Sequence, residues 1–164
     1  MNQQGTKTQR PILKVPDNTF YVSPTPLIIE GTVEENITLG LPFDEELFRK
    51  AIQCAELEEE ISKMPDKKNT ILGEGGSTIS GGQKIRLALA RCLYHKPDLI
   101  LMDCPLAKLD LHVASKIFEK IILDNFEKKT RIMTTNSITY LDKADRILIL
   151  DNGSITFNGT YKEI

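Results

Sequence analysis

The 164-residue chain has no tryptophan, only two histidines and three cysteines, and 6% aromatic residues. Cys54, Cys92 and Cys104 are odd in number and stand in no metal or redox spacing, which excludes a disulfide framework and a cysteine-rich metal site. They read as reduced thiols in a cytosolic setting. Neither sign of charge dominates: 21 Lys and Arg face 23 Asp and Glu, a formal net charge of −2. A broad electrostatic grip on nucleic acid is therefore not expected. The longest apolar runs, at 99–102 and 147–150, fall far short of the roughly 20 residues that span a bilayer. The opening MNQQGTK is polar, so no signal peptide is expected. Gly-x-x-x-x-Gly-Lys-Ser/Thr, the pattern of a phosphate-cradling loop, occurs nowhere.

Hydrophobic residues make up 40% of the chain and are patterned as in a globular α/β protein. After a polar tail at 1–11, residues 12–15 and 19–22 read as short strands around a Pro16-Asp17-Asn18 turn, before Pro24 and Pro26 break the chain. A short helix is expected over 34–39, closed by Gly40 and Pro42. Asp44 caps a clearer helix whose Leu47, Phe48, Ala51, Ile52 and Ala55 recur at helical spacing. Another short helix spans 58–64 and stops at Pro65. The acidic run 56–60 reads as a solvated surface, and 73–76 as a flexible glycine loop. Ser80 opens a long helix that ends near His95, before Pro97. The run 99–102 has the continuous apolarity of a central strand covered on both faces. An amphipathic helix over 111–126, a strand over 131–135, a short helix over 138–143 and a strand over 146–150 follow. A tight turn at 151–154 then leads into a strand at 155–157. This order argues a parallel sheet with an antiparallel pair at one edge, its three inner strands being 99–102, 132–135 and 147–150.

Two local features carry chemistry. Ser80, Gly81, Gly82 and Gln83 stand at a helix start, where N–H groups lack intrahelical partners and the dipole is positive. Paired glycines let an anion approach the backbone. Separately, LILMD at 99–103 ends a hydrophobic strand in Asp103, at the sheet edge where open α/β folds bind ligands. Each alone is weak, since a helix cap and a turn aspartate look the same.

Taken in order, ISGGQKIRLALAR at 79–91, Pro97-Asp98, LILMD at 99–103, Pro105 and Leu109-Asp110 resemble the signature, Walker B strand and D-loop of the ATP-binding cassette (ABC) ATPases. The likeness covers residues 20–164. GTVEENI at 31–37 resembles the segment after the Q-loop, LGEGG at 72–76 the X-loop of exporters, and 144–153 with 159–164 the end of the domain. It is nearest to the first, degenerate nucleotide-binding domain of subfamily C transporters. That group holds the multidrug-resistance-associated proteins and the cystic fibrosis transmembrane conductance regulator.

The resemblance implies a partial P-loop ATPase core, residues 12–30 and 96–164, with a helical signature subdomain at 31–95. It implies that Ser80, Gly81, Gly82 and Gln83 face nucleotide, that Asp103 holds magnesium through water, and that Ala107, Lys108, Leu109 and Asp110 form a D-loop at a domain dimer. ATP and Mg2+ are then the ligands of a larger parent on the cytoplasmic face of a membrane. Its partners are transmembrane domains and a second nucleotide-binding domain, with no nucleic acid. Three positions depart from the family: Pro24 (or Ser23) replaces the Q-loop glutamine, Cys104 the glutamate that serves as general base, and Asn136 the switch histidine. A thiol is mostly protonated at neutral pH and substitutes poorly for a carboxylate. With no phosphate-loop motif, the sequence reads as a trimmed domain, catalytically incompetent and binding nucleotide weakly if at all. Its uncovered sheet is expected to be compensated by self-association, by docking of the N-terminal segment into the vacated groove, or by marginal stability. A soluble ABC ATPase and a regulatory pseudo-ATPase are the alternatives. Cys104, His95 and Tyr21 are otherwise expected to serve packing, with His95 favouring a helix C-terminus. His112 and Lys108 are expected to be solvated.

Overall fold

The computed structural model describes residues 14–164. The expected tail and the beginning of the expected strand at 12–15 lie outside the described residues, and Lys14 and Val15 are not in a strand. The chain divides into two units, one ending at Met133 and the other Thr134–Ile164.

In the first unit a three-stranded sheet runs in the order β1 (Thr19–Val22), β2 (Leu99–Asp103), β3 (Thr130–Thr134). β1 and β2 are parallel, with Tyr21 opposite Leu101 and Val22 opposite Met102. β2 is the central strand, as its apolarity predicts, but it is covered on one face only: Ile100 and Met102 are buried, whereas Leu99 and Leu101 are half-buried. The helices are α1 (Val33–Thr38), α2 (Glu45–Cys54), α3 (Glu58–Ser62), α4 (Gly81–His95) and α5 (Leu111–Ile117). The expected loop at 73–76 contains a 3-10 turn, Glu74–Gly76.

Local chemistry explains where these helices start. Asp44 caps α2 by accepting from the Leu47 amide at 2.9 Å. Phe43, just outside that cap, packs against Phe48 with ring centroids 5.5 Å apart, a hydrophobic staple. Lys68 lies 3.6 Å over the Phe43 ring. From α4, the Tyr94 hydroxyl donates to the Pro42 carbonyl at 2.6 Å and accepts from the Asp44 amide at 2.8 Å. That clamp holds the start of α2 onto α4. The α4 face from Ile85 to Tyr94 is buried and, with Ile37, Leu72, Ile117 and Ile121, forms the core.

The single helix expected over 111–126 is two. α5 passes directly into a π-helical stretch, Phe118–Asn125. The wider spacing buries Ile117, Phe118, Ile121, Ile122 and Phe126 together, and Phe126 donates its amide to the Ile121 carbonyl at 3.0 Å.

In the second unit β4 (Ile147–Asp151) and β5 (Ser154–Gly159) form an antiparallel pair with a register shift at Ile149 and Leu150. The expectation that 147–150 joins the parallel sheet is therefore corrected: β4 pairs with β5 in a separate sheet. The tight turn through Asn152 and Gly153 brings these two strands together locally, both residues adopting positive φ. The expected helix at 138–143 is reduced to a 3-10 turn, Leu141–Lys143.

Candidate functional site

The site begins at the N-terminus of α4. Ser80 is the N-cap: its hydroxyl accepts from the Gln83 amide at 3.2 Å, and Gln83 Oε1 accepts from the Ser80 amide at 2.7 Å. This capping box uses the acceptors of both side chains but leaves the Ser80 hydroxyl proton to donate. A Cβ on Gly82 would stand 3.3 Å from the Lys108 carbonyl oxygen and 3.5 Å from Leu109 Cδ2. Glycine here lets the helix start lie directly against the 107–110 turn.

That turn has its own anchors. Lys108 is exposed, as expected, and donates Nζ to the Pro24 carbonyl at 2.8 Å. One residue thereby joins the Ser80 glycines, the turn after β2 and the break after β1. Asp110 is the N-cap of α5, accepting from the Val113 amide at 3.0 Å. Ala107 is exposed and Leu109 half-buried; His112 is exposed, as expected.

Asp103 ends β2, half-buried, and its Oδ2 accepts from the Tyr21 hydroxyl at 3.4 Å. Tyr21 is not a core residue: it is 56% exposed, because strand alternation puts it on the sheet face opposite buried Val22. Cys104 also departs from expectation. It is half-buried with φ of +46°, the left-handed turn that lets the chain leave β2. The inert thiol is Cys92, fully buried, whose pKa burial pushes up to about 12. Asn136 is an exposed residue of the second unit, in the turn after β3.

Beneath the glycines lies a polar layer that sequence reasoning missed. Glu60 Oε2 accepts from Gln83 Nε2 at 3.0 Å, and Oε1 from Arg86 at 2.6 Å. Arg86 also donates to the Glu56 carbonyl at 2.5 Å. The Glu56 carboxylate takes Lys120 at 2.5 Å and Lys116 at 3.2 Å. Burial raises its pKa, but the hydrogen bonds from Lys120 and Lys116 prevail and hold it below the usual carboxylate range. The acidic run is thus solvated only at Glu58 and Glu59; its two ends tie α4 to α3 and to the α5 region. Lys84 adds a bond to the Gly75 carbonyl at 2.8 Å. A second missed hub is Arg91 on Asn36, both buried. Arg86 and Arg91, charged residues within an otherwise apolar helical pattern, are the sequence signal for both.

Chemically, the helix start offers unpaired amides and a hydroxyl to an anion, and the strand end offers one carboxylate. Among the described residues no group of three His, Cys, Asp or Glu side chains could hold a metal ion. Asp103 therefore fits magnesium only as one member of a shell completed mainly by phosphate oxygens and water. The ABC transporter family model matches residues 3–107, more than half of the chain. This chain belongs to the ABC transporter family. The mixed α/β fold is that of a partial ABC ATPase core, and the matched stretch makes it a nucleotide-binding domain. In this ABC domain the match takes in Ser80, Gly81, Gly82, Gln83 and Asp103 and ends at Ala107, so Asp110 and Asn136 stand beyond it. No helix among the described residues is long and apolar enough to cross a membrane.

Proposed function

We propose that this chain is the degenerate nucleotide-binding domain of a membrane ABC transporter of the subfamily C type, working at the cytoplasmic face beside transmembrane domains. In this reading it lends the α4 start to a second nucleotide-binding domain. The Gly81 and Gly82 amides and the Ser80 hydroxyl meet the terminal phosphate of an ATP cradled by that partner's phosphate loop. Ala107, Lys108, Leu109 and Asp110 face the same partner. Asp103 serves a magnesium ion through water, and ATP and Mg2+ are bound tightly only in the assembled pair. Pro24, Cys104 and Asn136 replace the groups that would orient and activate an attacking water, so the chain alone does not hydrolyse ATP.

The observation that carries this reading is the asymmetry of the site. The Ser80–Gln83 cap, the glycine contact with Lys108 and the Glu60 and Arg86 support are all in place. By contrast, a thiol with left-handed backbone follows Asp103, and Pro24, which has no side-chain donor, stands at the position of the Q-loop glutamine. The test is sedimentation with an ABC domain that has an intact phosphate loop and a Gln in place of its catalytic Glu. ATP and Mg2+ should induce association, and Ser80→Arg should abolish it. Association independent of both ATP and Ser80 would overturn the reading.

A further inference from the structure

The α4 start is shaped by a carboxylate from outside the helix. Glu60, on α3, accepts from Gln83 Nε2 at 3.0 Å through Oε2 and from Arg86 at 2.6 Å through Oε1. Gln83 and Arg86 are three residues apart and so share one face of α4. Arg86 is buried and also donates to the Glu56 carbonyl, so an opposite charge in a fixed place holds Glu60. Leu57 and Ile61 are buried and anchor the segment that carries Glu60.

A glutamine amide has a donor end and an acceptor end, and by itself either could face Ser80. An ionised carboxylate only accepts. Glu60 therefore admits one orientation: Nε2 toward itself and Oε1 toward the Ser80 amide, which donates to it at 2.7 Å. The reverse would set Oε1 against a carboxylate and Nε2 against an N–H. In the admitted orientation the Ser80 amide is taken, and the Gln83 amide is taken by Ser80 Oγ at 3.2 Å. The Gly81 and Gly82 amides find no acceptor among the described residues, as the first turn of a helix dictates.

We propose that Glu60 is a positioning residue for this site. By fixing the Gln83 amide, it leaves the Gly81 and Gly82 amides and the Ser80 hydroxyl proton as the donors of the helix start that meet a terminal nucleotide phosphate. Glu60 itself touches no phosphate and acts through Gln83. This rests on the nucleotide reading above and adds the residue that orients its phosphate ligands.

The test has two arms. Amide hydrogen exchange on the whole chain needs no nucleotide. Glu60→Gln should speed exchange at Ser80 by about tenfold, the loss of one hydrogen bond, and leave Leu89 at mid-helix unchanged. Gln83→Met, which keeps the Glu60–Arg86 pair, should do the same. Glu60→Gln added to Gln83→Met should change Ser80 no further, because Glu60 acts through Gln83. In sedimentation with the intact ABC domain, ATP and Mg2+, each variant should weaken association severalfold, again without adding. Unchanged Ser80 exchange, faster exchange along all of α4, additive effects in the double variant, or parent-like association of the folded variants would each overturn the proposal. A parent chain that fails to associate, with Ser80 exchange as expected, would overturn the nucleotide reading and the phosphate with it, but not the hold of Glu60 on Gln83.

Discussion

Arg91 and Asn36, 55 residues apart in the chain, share one buried polar knot: Arg91 Nε donates to the Asn36 carbonyl at 2.6 Å and Nη2 to its Oδ1 at 3.1 Å. A third bond runs from Nη1 to the Leu27 carbonyl at 2.9 Å. Asn36 in turn receives the Ile29 amide and donates to the Ile29 and Thr32 carbonyls, each at 3.0 Å. No carboxylate takes part in these bonds. Burial lowers the guanidinium pKa to about 10, which still leaves it charged at neutral pH. The knot fastens the segment after β1 to the helix that presents Ser80.

Arg91→Met removes three donors and strands buried acceptors, so it should destabilise by about 2–4 kcal/mol in urea unfolding. Arg91→Lys should recover only part of this loss, because an ammonium cannot reproduce the planar fork. Equal stability of the Met variant and the parent would show that water satisfies those carbonyls instead.

His95 gives a pH signature. Burial lowers its pKa, against the opposing pull of the Thr38 and Ile37 carbonyls, while the positive charge of Arg91 adds to the lowering. The ring packs on Phe20 at 5.7 Å. A depressed histidine pKa means the unfolded chain binds the proton more readily. Its contribution is therefore complete above the ordinary histidine value of 6.5 and is lost as pH falls through the folded pKa. Urea midpoints should drop between pH 7.5 and pH 5.5, and less so in His95→Phe. The Glu56 contribution behaves separately: it is present above the ordinary glutamate value of 4.5 and lost only on further acidification.

Cys104→Glu should restore no ATP turnover to the isolated chain. A general base contributes only when the γ-phosphate and attacking water are held in line, and these 164 residues hold no phosphate-loop motif. Phosphate release above background in this variant, lost again in Asp103→Asn, would reveal a complete site.

The sheet face carrying Tyr21, Leu101 and Ile132 leaves apolar surface open, with Ile132 57% exposed. Continuous apolar patches of this kind favour association. Sedimentation velocity should show concentration-dependent self-association that Ile132→Lys reduces without lowering the unfolding midpoint. A strictly monomeric parent chain would contradict this.

Local sequence signals determined a good part of this protein. Ser80, Asp44 and Asp110 each cap the helix they precede, because capping is decided within four residues. The apolarity of 99–103 made β2 a central strand, and the order of SGGQ and LILMD was enough to point to the family. Long-range pairing lay beyond such signals. Nothing near Glu60 announces that it meets Gln83 and Arg86, 23 and 26 residues on, nor does Lys108 announce Pro24, 84 residues away. The β4–β5 hairpin is legible in the turn through Asn152 and Gly153, but that β4 stays out of the parallel sheet is not, because an apolar strand has no local mark of a second neighbour. The exposure of Tyr21 is not legible locally for a related reason. Alternation puts successive side chains on opposite faces, but only the packing of helices against the sheet decides which face is buried, and here the face of Val22 is covered.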